Sequence, residues 1–128
     1  MSYVFAKTIS MPFDAAITHV TEALKSKGFG VLTTIDIKAT MKAKLDKDLP
    51  PYTILGACNP GFAYKALQAE NLIGTMLPCN VVVREVEPGR IEVAAVDPIA
   101  SMQAVQNPAL GEIAGEVQSM LKSAIEGL

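Results

Sequence analysis

Hydrophobic residues are spaced in two different ways along the chain, and each spacing predicts a different secondary structure. Short runs rich in β-branched and aromatic residues, bounded by Gly, Pro or Asn, predict five strands, at residues 3–10, 30–37, 52–58, 81–86 and 91–96. The last two strands are separated by Glu87-Pro88-Gly89-Arg90, and Pro-Gly is a strong turn signal. These two strands are therefore expected to form an antiparallel hairpin.

Apolar residues at helical spacing predict two long amphipathic helices. The first follows Ser10, which suits a helix cap, and Pro12, which suits a first turn, and it closes at Gly28. Its apolar stripe comprises Phe13, Ile17, Val20 and Leu24. The last helix follows Asn107-Pro108, and its stripe comprises Leu110, Ile113, Val117, Leu121, Ala124 and Leu128. One apolar stripe is typical of a helix that lies against a sheet.

Two shorter helices are predicted in the middle of the chain. One covers residues 40–47, with Thr40 as its cap and with Met41 and Leu45 pointing inward, and Pro50-Pro51 ends it. The other covers residues 61–70, and its apolar residues are Phe62, Ala66, Leu67 and Ala69. Residues 71–78 are expected to form a connecting loop.

The order of these elements, β-α-β-(α)-β-α-β-β-α, predicts an α+β fold. About five strands form a single, mostly antiparallel sheet, and the two long helices pack on one face of it. No linker, internal repeat or low-complexity tract appears, so residues 1–128 are predicted to form a single domain. The other face of the sheet needs a cover, which the middle helix, the loop at residues 97–107 or a second subunit could supply.

Composition favours a homodimer and argues against two other classes of partner. Half of the residues are apolar and 19% are charged, below the usual ~25%, which predicts a buried cavity or a subunit interface. The 11 basic and 13 acidic residues lack the basic excess that is typical of nucleic-acid binding. No apolar run approaches the roughly 20 residues of a membrane span, and residues 1–11 lack the pattern of a secretory signal. A cytoplasmic location, where thiols stay reduced, is therefore predicted.

The most distinctive chemistry lies in two cysteine-asparagine segments, at residues 56–60 and 77–81. Cys58 and Cys79 each lie at a predicted strand end, and each precedes an asparagine, Asn59 or Asn80. Cys58 lies near the N-terminus of the predicted helix over 61–70, where the helix dipole would lower a thiol pKa. The amides can hold a ligand carboxylate or carbonyl, and a thiol can act as a nucleophile or a soft-metal ligand.

Each of these residues also has a purely structural interpretation. Both cysteines can be small buried hydrophobic residues, Asn59 can cap the helix that follows it, and Asn80 can form an Asx turn.

Three acidic residues, Asp36, Glu70 and Asp97, lie near the ends of predicted elements and have apolar neighbours. Asp36 and Asp97 are candidates for ligand binding, and turn formation is the alternative for both.

No metal site is predicted from the sequence, and the cofactor is left unknown. The chain has one histidine, His19, which is expected to be exposed, so a zinc site of two Cys and two His cannot form within one chain. The motifs of dinucleotide sites, phosphate loops, serine hydrolases and zinc proteases are missing. Lys44 is a candidate anion contact. Four methionines are interpreted as core filler: Met41, Met76, Met102 and Met120.

The two cysteine-asparagine segments also carry a resemblance to a known family. Together with Ile35-Asp36-Ile37, Gly74 and Asp97-Pro98, they resemble the bacterial and archaeal family of domains of unknown function numbered three-hundred-two, over nearly the whole chain. The resemblance implies a curved antiparallel sheet backed by two helices, like one half of the TATA-binding protein, and it implies a dimer. It implies neither a particular reaction nor DNA binding.

Three functions are left open by these observations. The first is a module that binds a small molecule or a soft metal, with Cys58 and Cys79 lining a pocket under the sheet or at a dimer seam. The second is a cysteine-dependent enzyme, whose base would be Asp36, Glu70, Asp97 or a group of another subunit. The third is a structural or partner-binding dimer in which the cysteines are core residues. The separation of the two sulfur atoms distinguishes a shared site from two unrelated core positions.

Overall fold

Five strands form one antiparallel sheet in the computed structural model, which describes residues 2–128. The strands are β1 (Val4–Ser10), β2 (Gly30–Asp36), β3 (Tyr52–Cys58), β4 (Cys79–Glu87) and β5 (Arg90–Val96). Their spatial order is β1-β5-β4-β3-β2, so the first strand of the chain pairs with the last. The predicted α+β class with one antiparallel sheet is confirmed, as is the β4–β5 hairpin.

The helices are α1 (Phe13–Ser26), α2 (Ile37–Leu45), α3 (Pro60–Ala69), α4 (Pro98–Ser101) and α5 (Pro108–Glu126). A single 3₁₀ turn over Ile73–Met76 precedes β4. Neither this turn nor α4 was expected, because both lie in segments too short for a hydrophobic period to be visible. Within residues 2–128, no helix has the length and apolar character needed to cross a membrane.

The core lies between one face of the sheet and the two long helices α1 and α5. Alternate residues of the central strands are buried on this face: Leu55, Ala57, Val81, Val83, Ile91, Val93 and Ala95. The predicted stripes of α1 and α5 pack against them through Val20, Leu24, Val117, Leu121 and Ala124. Burying each Leu or Val side chain of this kind stabilises the fold by roughly 1.5–3 kcal/mol. The two helices therefore hold the sheet on one side.

Helix α1 ends as predicted but begins differently. Gly28 adopts a left-handed φ of 86°, and its N–H donates to the carbonyl of Lys25. Ser10, however, belongs to β1, and the cap position is Pro12, which makes no side-chain capping bond within the described residues. The prediction of a Ser10 cap is wrong because β1 pairs with β5 along its whole length, up to Ser10 opposite Arg90.

The prediction for α2 is wrong in its start and in the direction of Leu45. Asp36 caps this helix, since its Oδ1 accepts the N–H of Ala39 at 2.9 Å. Thr40 lies one turn inside the helix, and its hydroxyl donates to the carbonyl of Asp36. Asp is a better cap than Thr, so the helix starts three residues earlier than predicted. Leu45 faces outward and is 62% exposed.

The outer strand β2 contains an irregularity in its pairing with β3. The register shifts between Val31 and Thr33, so that Val31 lies opposite Ala57 and Thr33 lies opposite Gly56. The extra residue, Leu32, is 66% exposed. A bulge of this kind bends the strand and breaks the hydrogen-bond ladder locally.

Candidate functional site

Cys58 and Cys79 are 21 positions apart in sequence but lie on neighbouring strands of the sheet. Cys79, the first residue of β4, is the register partner of Ala57, and Cys58 is the next residue along β3. Neighbouring strands are about 4.8 Å apart, so the two cysteines share one end of one strand pair. Because consecutive strand residues alternate between faces, Cys79 shares the helix-facing side with Ala57, whereas Cys58 leaves β3 on the opposite side. Both thiols are free. The register brings the two cysteine-asparagine segments side by side, which the sequence alone left open.

Both cysteines line a small cavity between this end of the sheet and the helices α3, α4 and α5. Its walls are mainly apolar and include Phe29, Phe62 and Val117, and a third sulfur-bearing residue, Met102, also lines it. The cavity volume is about 30 Å³. A cavity of roughly 10–15 Å³ holds one water, whereas sites for drug-sized molecules have roughly 300–1,000 Å³. This space fits an ion or one or two waters, not a metabolite.

Asn59 lies between β3 and α3 and caps α3, as its structural interpretation predicted. Its Oδ1 accepts the N–H of Phe62 at 3.4 Å, and Pro60 occupies the first helical position. The amide nitrogen of Asn59 packs against Gly28, where an added Cβ would lie 3.1 Å from Nδ2. Asn59 therefore joins the end of α1 to the start of α3, directly beside Cys58.

Replacing Asn59 with alanine is expected to lower the free energy of unfolding by about 1 kcal/mol, because α3 loses its capping acceptor. Urea unfolding followed by circular dichroism measures the loss. The matched control is Asn59→Asp, which keeps a capping oxygen and should lose much less. Equal losses in the two variants would show that the cap contributes nothing.

The environment of the thiols keeps them protonated at neutral pH. Burial raises the pKa of Cys58 above its ordinary value. Burial, and then the neighbouring Cys58, raise the pKa of Cys79 to about 11. The prediction that the pKa of Cys58 is lowered at the start of α3 is therefore wrong in sign, because desolvation by burial raises it. Protonated thiols are poor nucleophiles, which argues against a cysteine-dependent enzyme.

The raised pKa of Cys79 predicts a loss of stability in alkaline solution. The folded chain keeps this proton up to pH about 11, whereas the unfolded chain releases it near the ordinary value of 9.0. The free energy of unfolding should therefore fall between pH 9 and 11, by on the order of 2 kcal/mol from this group. Urea titrations across this range measure the slope. Cys79→Ala, which lacks the thiol but keeps the other titrating groups, should show a shallower slope, and identical slopes would contradict the assignment.

Asn80 lies on the other face of the sheet from Cys79. Consecutive residues of a strand point to opposite faces, so Cys79 is buried against the helices while Asn80 is exposed. Asn80 lines a groove of about 400 Å³ on the open face, together with Tyr52, Arg84 and Glu92. The structure thus separates Asn80 from the residues with which it was grouped.

The two candidate aspartates have capping roles at different places. Asp97 Oδ1 accepts the N–H of Ile99 and so caps α4, and Gln118 of α5 donates to both of its carboxylate oxygens at 3.1 and 3.2 Å. Asp97 thereby positions α4, which leads to Met102 at the cavity. Asp36 caps α2 at the far end of the β2–β3 pair, where it lies opposite Thr53, so it is remote from the cysteines.

The remaining candidates lie outside the cavity. Glu70 accepts a hydrogen bond from Asn107 Nδ2 at 3.3 Å, which ties the end of α3 to the start of α5. Lys44 and His19 are exposed, the latter as expected. No group of three His, Cys, Asp or Glu side chains that could hold a metal occurs within residues 2–128. Met102 was missed, because nothing in its sequence spacing distinguishes it from core methionines.

Comparison with known proteins places the chain in a family. A family profile described as "Domain of unknown function DUF302" matches residues 5–128. The chain belongs to the DUF302 family. A similar solved structure is that of an uncharacterized conserved DUF302 protein from Bacillus stearothermophilus, with 28% identity, 98% of each chain covered and a TM-score of 0.89. The comparison with curated proteins found no match. The resemblance inferred from the cysteine-asparagine segments is confirmed, whereas the likeness of this DUF302 chain to half of the TATA-binding protein stays a prediction.

Proposed function

We propose that this DUF302 chain is a binding protein that holds one small, soft ligand in the cavity shared by Cys58 and Cys79. The observation that carries the proposal is the convergence of two distant cysteines on one cavity with mainly apolar walls. Two unrelated core cysteines are not expected to line the same cavity, and a third sulfur-bearing residue, Met102, lines it as well.

Binding is favoured over catalysis because the cavity offers recognition groups but no proton acceptor. Asn59 supplies the one polar amide of the described lining, and its oxygen is already engaged by Phe62. No carboxylate or imidazole appears among the described lining residues. A thiol nucleophile needs an adjacent base or a lowered pKa, and both cysteines have raised pKa values. Reversible binding of a small ligand fits these groups better than covalent catalysis.

The proposal is tested by a thermal-unfolding screen of the full chain against metal ions and small apolar molecules. A ligand that binds only the folded chain raises the melting temperature. We expect at least one ligand class to do so in the wild type and to lose its effect in the Cys58→Ala/Cys79→Ala double variant. The proposal fails if no class shifts the melting temperature, or if the double variant responds as the wild type does.

We further propose that the chain forms a homodimer through the open face of the sheet. This face lies opposite α1 and α5, and it presents the exposed Ala6 and five half-buried apolar residues, Val4, Ile54, Val82, Ala94 and Val96. In its middle, Arg84 Nε and Glu92 Oε1 are 2.7 Å apart. A two-fold interface brings the same patch against itself, so Arg84 of each copy can meet Glu92 of the other.

Light scattering coupled to size exclusion tests the dimer. Arg84→Glu places like charges at the seam and should shift the protein to monomer, and Arg84→Glu/Glu92→Arg should restore the dimer. Lys25→Glu makes the same charge change on exposed α1 and should leave the dimer intact. A monomeric wild type, or a dimer insensitive to Arg84→Glu, contradicts the proposed interface.

We place the protein in a reducing, cytoplasmic setting. Two free thiols side by side support this location, because an oxidising compartment favours their conversion to a disulfide. The net charge of −2 argues against nucleic acid as a partner.

A further inference from the structure

We infer that the ligand is a neutral molecule with a short, unbranched hydrocarbon chain, which enters the cavity under a movable strap formed by residues 99–106. This inference rests on the proposed binding function of the cavity, and it names the class of ligand and its route. The observation that carries it is a second space, a surface groove of about 220 Å³, which shares the strap residue Met102 with the cavity.

The groove and the cavity are neighbouring spaces. The groove runs between the strap and the first turn of α5, and its lining includes Ile99, Gln103, Val105, Leu110 and Gly111. Two residues, Met102 and Ala114, line both the groove and the cavity. Ala114 ends in a methyl group, whereas a methionine has three rotatable bonds and adapts its shape easily. A rotation of the Met102 side chain is therefore the simplest change that joins the two spaces.

The strap is bonded to the rest of the described chain only at its ends. The hydrogen bonds of residues 99–106 run within the segment or to Asp97, Pro98 and Asn107, which flank it. Asp97 is anchored by hydrogen bonds from α5, and Asn107 is anchored by a hydrogen bond of 2.8 Å to the end of α3. No residue of the strap is fully buried, in contrast to Pro98. Few buried contacts and no outside hydrogen bonds are typical of a segment that opens locally.

The chemistry of the lining selects a neutral ligand. Neither an acidic nor a basic side chain appears among the described residues that line the groove or the cavity. Glu70 lies beside the groove, with its Oε1 3.3 Å from Nδ2 of Asn107, so its negative charge disfavours an anion. A charged group buried here without a partner would be costly. The exposed Gln103 supplies an amide that can bind a hydroxyl or carbonyl head group at the mouth of the groove.

The size of the two spaces selects a narrow chain. The cavity alone, at about 30 Å³, is too small for an organic molecule, and the groove measures about 220 Å³. Together they are smaller than the roughly 300–1,000 Å³ of sites for drug-sized molecules. Because the boundary between them is the side chain of one methionine and the methyl group of one alanine, an unbranched chain passes more easily than a ring. The head group then stays in the groove while the chain reaches the cavity.

The test is a titration of the full chain with n-hexanol, in which the methyl groups of the methionines are observed by NMR. We expect saturable binding that shifts the methyl signal of Met102. The signal of Met120, which is not among the described lining residues of either space, should stay in place. From n-butanol to n-hexanol, the affinity should increase roughly fourfold for each added CH₂ group. Hexanoate, which has the same length and a negative charge, should bind more weakly by on the order of tenfold.

Two glycines of α5 offer a matched pair of variants. At Gly111 and at Gly115, an added Cβ meets no heavy atom within 4 Å in the described part of the chain, but of the two only Gly111 lines the groove. Gly111→Leu should fill the groove and weaken n-hexanol binding by on the order of tenfold, because its side chain takes the place of several CH₂ groups. Gly115→Leu should bind n-hexanol as the wild type does. Circular dichroism verifies that both variants are folded.

The outcomes separate this inference from the proposed function. Equal affinity of Gly111→Leu and Gly115→Leu for n-hexanol overturns the groove as the route, and equal affinity of the wild type for n-hexanol and hexanoate overturns the neutral ligand. If n-hexanol does not bind, while xenon or a metal ion raises the melting temperature and loses this effect in Cys58→Ala/Cys79→Ala, this inference is overturned and the binding function is kept. Failure of every ligand class overturns both.

Discussion

Replacing Phe29 with alanine is expected to lower the free energy of unfolding by about 3–5 kcal/mol. The ring is 1% exposed, belongs to the main core, and also forms a wall of the cavity between Cys58 and Cys79 and the helices. Its removal loses buried apolar area and enlarges a space that already exists, which neighbouring side chains cannot fill without shifting. For a domain stabilised by roughly 5–15 kcal/mol, this is a large share. Urea unfolding measures the change.

Tyr64→Ala is the matched control, because this aromatic side chain is 64% exposed. Its loss should change the free energy of unfolding by less than about 0.5 kcal/mol. A small aromatic hydrocarbon should raise the melting temperature of Phe29→Ala but not of the wild type, since enlarged apolar cavities stay dry and bind such molecules. A loss at Phe29 no greater than at Tyr64 would be incompatible with its position in the core.

The second large effect is expected at Gly56, where alanine should cost about 1–3 kcal/mol through overpacking. An added Cβ would overlap the hydroxyl of Thr33 on β2 and would lie 2.8 Å from the ring of Pro78. Pro78 precedes Cys79, so relief of this contact displaces the start of β4. The unfolding free energy in urea reports the cost.

Two further variants identify the contacts responsible. Thr33→Ala removes the overlapping hydroxyl, so the double variant Gly56→Ala/Thr33→Ala should recover part of the loss, while Pro78 accounts for the remainder. Gly74→Ala is the control, because an added Cβ there meets no heavy atom within 4 Å in the part of the chain that the structure describes. Strictly additive losses at Gly56 and Thr33 would refute the overlap.

The elements that sequence reasoning placed correctly are those encoded by local periodicity. Val20 and Leu24 of α1, and Val117 and Leu121 of α5, repeat at helical spacing because one face of each helix is buried, and all four are buried in the structure. The β4–β5 hairpin follows from Pro88-Gly89, whose glycine takes a φ of 79°. Each of these signals is contained within a short segment of the chain. It can therefore be read without knowing which distant segments come into contact.

The candidate site depends on contacts between segments that are distant in sequence. The sequence pattern does not predict which of these segments come together. The pairing of Ala57 with Cys79 is decided by which strands become neighbours, and Met102 arrives through the Asp97 cap. The predicted start of β4 at residue 81 left Asn80 in a loop. With the strand starting at Cys79, alternation alone would have sent Asn80 to the opposite face.

The direction of the Cys58 pKa shift also could not be predicted from the neighbouring sequence. Helix position is visible in the sequence, because Asn59-Pro60 announces the start of α3. The competing effect is desolvation by packing around the cavity, to which α5 contributes Ile113 and Val117 from more than fifty positions away. Burial of this kind becomes known only when the packing of the whole chain is known.

The bulge in β2 has a consequence for how the protein behaves at high concentration. An outermost strand presents free N–H and C=O groups onto which a strand of another molecule can add, and repeated addition builds fibrils. Between Val31 and Thr33 the ladder is interrupted and the strand bends, so an incoming strand finds no long, flat edge to copy. The irregular edge therefore disfavours polymer growth on that side of the sheet in a crowded solution of this chain.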